Sequence, residues 1–162
     1  MTPLERYQAD LKRPEFFHDA AQETAVRHLQ RLYDDLVAAD KGSSGMFGKL
    51  FGKKPQGPVK GLYFWGGVGR GKTYLVDTFF DSLPFERKVR THFHRFMKRV
   101  HEEMRTLKGE KNPLTIIGKR FADEARVICF DEFFVSDITD AMILATLLEE
   151  LFKNGVSLVA TS

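Results

Sequence analysis

The sequence predicts an α/β fold in which a parallel sheet carries helices on its flanks. Three observations lead there. From Gly61 onward, short apolar runs alternate with stretches of helical period, the pattern of strands joined by crossover helices. A glycine-rich turn, Gly66-Gly67-Val68-Gly69-Arg70-Gly71-Lys72-Thr73, falls between the first such run and the first such helix. Four consecutive apolar residues, Val127-Ile128-Cys129-Phe130, end in Asp131-Glu132, as a strand buried on both faces does where it emerges at the edge of a sheet.

The elements follow in order. Thr2-Pro3-Leu4-Glu5 is a helix start, with a capping hydroxyl, proline at the first helical position and an acid closing a capping box. Asp19 opens a second helix, with Ala25, Leu29, Leu32, Leu36 and Val37 at helical spacing, and Gly42-Ser43-Ser44-Gly45 ends it. Residues 41–58 read as a flexible basic insertion. Within it Met46, Phe47, Leu50 and Phe51 would share one helical face beside Lys49, Lys53 and Lys54, so docking on a membrane surface or a partner is the functional alternative. Gly48 and Gly52 weaken that helix. Strands are expected over Leu62–Trp65, Val89–Phe93, Val127–Phe130 and Val156–Ala160. Helices are expected over Lys72–Asp81, Arg95–Leu107 and Asp137–Lys153, with a shorter one near Thr115–Phe121. The chain therefore divides into an N-terminal helical segment, 1–60, and an α/β core, 61–162.

Composition narrows the class. The chain has 162 residues, 43% hydrophobic and 29% charged. That is enough apolar surface to offset ordering entropy, which excludes disorder of the whole chain. One cysteine, Cys129, excludes a disulfide framework and a cysteine-rich zinc site, and its place in mid-strand marks a buried, inert thiol. Neither a leader pattern nor a run of about 20 apolar residues occurs, so a cytoplasmic location is expected. The net charge of +3 hides an uneven distribution. Residues 41–60 hold five lysines and no acid, 86–120 hold eleven basic and four acidic residues, and 121–162 hold two and eight. Solvated helix faces are the plain reading of these blocks, and a basic surface for an acidic protein, nucleic acid or anionic lipid is the sharper one.

The glycine-rich turn matches G-x-x-x-x-G-K-[ST]. Its backbone must curl tightly and present N–H groups inward, and those donors with the next helix N-terminus bind phosphate anions. Gly66, Gly67, Val68, Gly69, Arg70, Gly71, Lys72 and Thr73 are thus the expected nucleotide-binding residues. Lys72 would reach the β- and γ-phosphates of ATP as a point charge, and Thr73 Oγ would ligate Mg²⁺. Asp131 would hold the same Mg²⁺, through water, and Glu132 would polarise the attacking water as general base. A glutamate after the aspartate favours hydrolysis over transfer to a bound acceptor.

Three stretches together resemble a known family. Gly61–Thr73, His92-Phe93-His94-Arg95-Phe96-Met97 and Cys129–Met142 are similar to the ZapE-type cell-division ATPases of bacteria and their mitochondrial relatives, of the AAA+ superfamily. Thr2-Pro3-Leu4 and the helix around Asp19-Ala20-Ala21-Gln22 fit as well, and Phe134 resembles the bacterial branch. The resemblance implies Mg²⁺-dependent ATP hydrolysis coupled to a protein partner, the tubulin-like division-ring protein, at the division site near the inner membrane. It also implies a sheet ordered 5-1-4-3-2, of which this chain would hold four strands. Similar proteins carry a sensor asparagine, a fifth strand, an arginine finger and a helical lid beyond the position of Ser162. A trans arginine finger supplies roughly 10³–10⁵ in rate, so weak hydrolysis is expected of this chain alone. Homo-oligomerisation of the full-length parent is left open. Single-stranded nucleic acid is the less favoured partner. Arg95, Lys98, Arg99, Arg105, Lys108 and Lys111 would provide the charge, but only Phe93 and Phe96 interleave with them for stacking. A non-catalytic nucleotide-binding scaffold is the other alternative.

Two smaller features remain. His92 and His94 would share one strand face, yet two imidazoles are too few for zinc, so structural hydrogen bonds or substrate contact are expected of them. Thr161 and Ser162 stand at or just before the position where related ATPases sense γ-phosphate, with a plain polar strand end as the equal alternative.

Overall fold

A computed structural model describes residues 1–16, 19–44, 62–64 and 70–161, with the backbone alone at 41–44, 62–64 and 70–72. The element order is α1 (Pro3–Asp10), α2 (Ala20–Ser44), β1 (Leu62–Phe64), α3 (Arg70–Ser82), β2 (Lys88–His92), α4 (Phe93–Thr106), α5 (Pro113–Glu124), β3 (Val127–Asp131), α6 (Ile138–Lys153) and β4 (Ser157–Thr161). The strands form one sheet in the order β1-β4-β3-β2, and every pairing is parallel. This is the expected 1-4-3-2 arrangement.

Side chains alternate across a strand, so β3 and β4 must be apolar on both faces if both are covered. They are. Val127, Cys129 and Val159 join Tyr7, Val26, Leu29, Leu32, Leu36, Val76 and Phe79 on the face covered by α1, α2 and α3. Ile128, Phe130 and Ala160 join Phe93, Phe96, Val100, Ile117, Phe121, Leu147 and Leu151 on the face covered by α4, α5 and α6. The result is a three-layer sandwich with two cores, one on each side of the sheet.

Local signals explain the helix ends. Thr2 caps α1 through the expected capping box, with Glu5 N donating to Thr2 Oγ1 and Thr2 N donating to Glu5 Oε1, each at 3.2 Å. Asp19 Oδ1 accepts from Ala21 N at 2.9 Å at the start of α2. That helix runs through Gly42, Ser43 and Ser44 before the rest of the basic insertion, 45–58, which lies outside the described residues. Helix α5 is longer than expected because Pro113 takes its first turn, where a missing N–H costs nothing. Asp137 caps α6 by accepting from Thr139 N at 2.7 Å. Gly155, at φ +82°, closes the same helix with Val156 N bonded back to Leu151 O at 3.0 Å.

One boundary differs in kind. The strand expected to run through Phe93 stops at His92, and Phe93 becomes the first residue of α4. Phe93, Phe96, Met97 and Val100 recur at helical spacing and are all buried, so packing against the sheet fixes the helix from its first residue. His92 and His94 therefore do not share a strand face: one ends β2 and the other lies in the first turn of α4.

Candidate active site

In a fully parallel sheet all carboxyl ends lie along one edge, the edge where open α/β sheets bind ligands. Phe64, His92, Asp131 and Thr161 end the four strands there. Helix α3 begins at Arg70, so Gly71, Lys72 and Thr73 occupy the first turn of the helix that follows β1. That is where exposed N–H groups and the positive end of the helix dipole favour an anion. The loop residues Gly66, Gly67, Val68 and Gly69, with Trp65, lie outside the described residues.

Asp131 ends β3 with the parity of Val127 and Cys129, which turns it toward α3. It is held by an arginine that sequence reasoning missed. Arg90 of β2 donates from Nε to Asp131 Oδ2 at 2.9 Å and from Nη2 to Asp131 Oδ1 at 3.0 Å. Its third nitrogen, Nη1, reaches Asp77 of α3. The bonds to Asp131 first, and to Asp77 next, raise the guanidinium pKa above its ordinary value against the opposing effect of burial. Arg90 thus ties the end of β3 to α3. Thr73 and Asp77 are four residues apart, on one face of α3, so Thr73 stands one turn nearer the phosphate loop than the residue Arg90 grips. The only sequence signal for this clamp is an arginine in mid-strand flanked by Val89 and Thr91, which needs a buried acid to explain it.

Glu132 follows immediately, exposed, at φ +53°. That left-handed backbone swings its carboxylate across the sheet edge toward β2, where Oε2 lies 3.6 Å from His92 Nδ1. Thr161 does not join the site as a free polar group. It is buried, its Oγ1 donates to Phe130 O at 3.4 Å and its carbonyl accepts from Phe133 N at 2.6 Å. Ser162 lies outside the described residues.

The basic stretch of α4 is partly committed elsewhere. Arg99 forks onto Glu124, with Nη1 2.8 Å from Oε2, and its guanidinium lies 4.5 Å from the centroid of the Phe121 ring. Phe93 and Phe96, the two rings that interleave with the basic residues, are buried at 3% and 6% exposure and offer no face for base stacking. Cys129 is buried as expected, and desolvation pushes its thiol up to about 12. Beside the site Phe134, Ile138 and Met142 are exposed at 76%, 81% and 69%. Phe134 also lines a cleft of about 400 Å³ between α4 and the start of α6, whose walls mix Phe93 and Met97 with His94, Lys98, His101 and Asp140.

A parallel sheet in this order, with a phosphate-loop motif ahead of α3 and an acidic pair at the end of β3, defines a P-loop NTPase core. A family model described as AFG1-like ATPase matches residues 1–162, and the chain belongs to that family. It is similar to the cell division protein ZapE of Escherichia coli, 50% identical over the whole of this chain and 46% of that protein. An uncharacterized protein of Schizosaccharomyces pombe is 35% identical over 99% of this chain and 42% of its own length. Lactation elevated protein 1 homolog B of Danio rerio is 44% identical over 65% of this chain and 23% of its own length. The chain thus spans less than half the length of these curated relatives. No solved structure matches it.

Proposed function

We propose that this chain is the nucleotide-binding part of a Mg²⁺-dependent ATPase that acts on a protein partner in cell division. One observation carries the reading: the first turn of α3 and the Asp131–Glu132 pair meet at one sheet edge, linked through Arg90 and Asp77. On this reading Gly66 through Thr73 bind the phosphates of ATP, and Lys72 supplies the balancing charge. The donor set fits a hard cation, since Thr73 offers a hydroxyl and Asp131 a carboxylate. Arg90 occupies both Asp131 oxygens, which favours contact with Mg²⁺ through water. Bound Mg²⁺ would neutralise charge on the β- and γ-phosphates. Glu132 would orient the attacking water and accept its proton, for which its exposed carboxylate is free to turn from His92.

Exposed Phe134, which lines the cleft, and exposed Ile138 and Met142 a few residues on support a protein partner, because large apolar side chains left in solvent mark interaction surfaces. The relative named for cell division supports a role in division; within this proposal the partner is the tubulin-like division-ring protein, met in the cytoplasm near the inner membrane. No helix among the described residues is long and apolar enough to cross a membrane. The division into an N-terminal segment, 1–60, and a core, 61–162, belongs to the same proposal.

Thermal unfolding tests it. A ligand at 100 times its Kd stabilises a fold by about 2.7 kcal/mol. For a chain of this size that raises Tm by roughly 5–10 °C. Mg-ATP should do so, and Lys72→Ala should abolish the shift. Equal melting temperatures with and without Mg-ATP would sink the proposal.

A further inference from the structure

The two histidines at the β2–α4 junction acquire a third neighbour in the fold. His92 ends β2, His94 lies in the first turn of α4, and Glu132 reaches them from the end of β3. One ligand atom from each of the three lies within 4.8 Å of the other two. The imidazole rings are 5.7 Å apart between centroids. Sequence spacing alone offered two imidazoles, one short of a zinc site. The left-handed turn at Glu132 supplies the third ligand.

A second observation points to a ligand. Among the described residues His92 Nδ1 is buried and makes no hydrogen bond, and Glu132 Oε2 lies 3.6 Å away, beyond hydrogen-bond reach. A nitrogen lone pair and a carboxylate separated by that gap suit a cation placed between them. In a tetrahedral zinc site, neighbouring ligand atoms stand about 3.3 Å apart. The cluster must therefore close by an ångström or so. His94 and Glu132 are exposed and can move without disturbing either core.

We propose that His92, His94 and Glu132 form a three-ligand site for a borderline divalent cation of the zinc class, with water in the fourth position. Two imidazoles and one carboxylate select such a cation over Mg²⁺, which prefers oxygen and keeps its waters. The positive end of α4 works against a cation there, and the Glu132 carboxylate offsets it. The site is distinct from the Thr73–Asp131 pair in its ligands and its metal. It shares Glu132 with the hydrolytic reading, so a cation held here takes the proposed base out of use, a consequence that rests on that reading.

Cobalt(II), whose four-coordinate complexes absorb in the visible, is the probe, titrated into the chain without nucleotide. The expected result is one Co²⁺ per chain with visible bands, displaced by equimolar Zn²⁺ and unaffected by millimolar Mg²⁺. His94→Ala and Glu132→Gln should each weaken binding by tenfold or more while leaving the thermal melt of the apo chain within about 2 °C. Absence of visible bands, displacement by Mg²⁺, or unchanged Co²⁺ affinity in His94→Ala would each overturn the assignment. Because no ATP is present, these outcomes are independent of the hydrolytic reading. Loss of the Mg-ATP thermal shift with Co²⁺ binding intact would strike that reading alone.

Discussion

Replacing Glu132 with glycine should make the protein more stable. Glu132 sits at φ +53°, where a β-carbon crowds the following carbonyl at a cost of roughly 1–2 kcal/mol. Its side chain is 76% exposed, so little packing is lost on truncation. Its ion-pair contact among the described residues, to His92 at 3.6 Å, is weak at that exposure. Glycine adopts this backbone freely, but its looser unfolded chain returns about 0.5–1 kcal/mol. The net expectation is a gain of about 0.5–1 kcal/mol, a rise in Tm of roughly 1–4 °C. Urea unfolding followed by circular dichroism in 0.5 M salt measures it with the ion pair screened. Glu132→Asn should fall between glutamate and glycine, since asparagine tolerates the left-handed region. Glu132→Val should be the least stable, because a branched β-carbon fits there worst. A glycine variant no more stable than the parent, or a valine variant equal to it, would refute the argument. On the proposed function the glycine variant also loses hydrolysis, so stability and activity would move in opposite directions at one residue.

Arg90→Met should cost about 1.5–3 kcal/mol, since two charge-assisted bonds to a three-quarters-buried Asp131 vanish, and Arg90→Lys should restore only part, having no fork; a denaturant midpoint equal to the parent's would contradict this. A Cβ on Gly118 would lie 2.7 Å from Glu150 Cβ, so Gly118→Ala should force α5 and α6 apart at about 1–3 kcal/mol, read as a lower midpoint with unchanged slope. Tyr74 donates to Asp10 at 2.5 Å, and burial first, then that bond, push its phenol up to about 12. Because the folded pKa exceeds the unfolded value near 10, this stabilisation is complete below pH 10 and is lost as pH rises from 10 to 12. Absorbance at 295 nm should show late tyrosine titration in the folded chain, to which Tyr7, raised by burial, also contributes, and Tyr74→Phe should remove one tyrosine's share of it at a cost of about 1–2 kcal/mol.

The fold was legible because its cues are local or periodic. The capping box at Thr2, the apolar spacing of Leu29, Leu32 and Leu36, and the four-residue apolar run of β3 each depend on neighbours within a turn or a strand. The candidate site's motifs, the phosphate loop and Asp131–Glu132, can be read from sequence for the same reason, since each is contiguous. What escaped depends on register. Arg90 meets Asp131 across 41 residues and Asp77 across 13, and only the pairing of Arg90 with Cys129 in the sheet brings them together. The β2–α4 boundary escaped because Phe93 suits a strand as well as a helix, and burial with Phe96 and Met97 decides between them. The His92–His94–Glu132 cluster needed both that boundary and the backbone turn at Glu132, neither of which has a residue signature.

The strand order also governs when the molecule can come together. Among the described residues β1 pairs only with β4, through Leu62↔Val159, Tyr63↔Ala160 and Phe64↔Thr161. Strands β2 and β3, by contrast, pair with each other across a far shorter stretch of chain. A ribosome delivers the N-terminal elements first, yet β1 has no sheet edge to occupy until β4 has emerged and seated against β3. Of the four described strands, the one that leads into the phosphate loop is therefore the last to be fixed, and until then Val26, Leu29 and Leu36 of α2 lack the β4 side of the surface they bury against. For a growing chain, the start of α3 can be held beside Asp131 only after β4 has bridged β1 to β3.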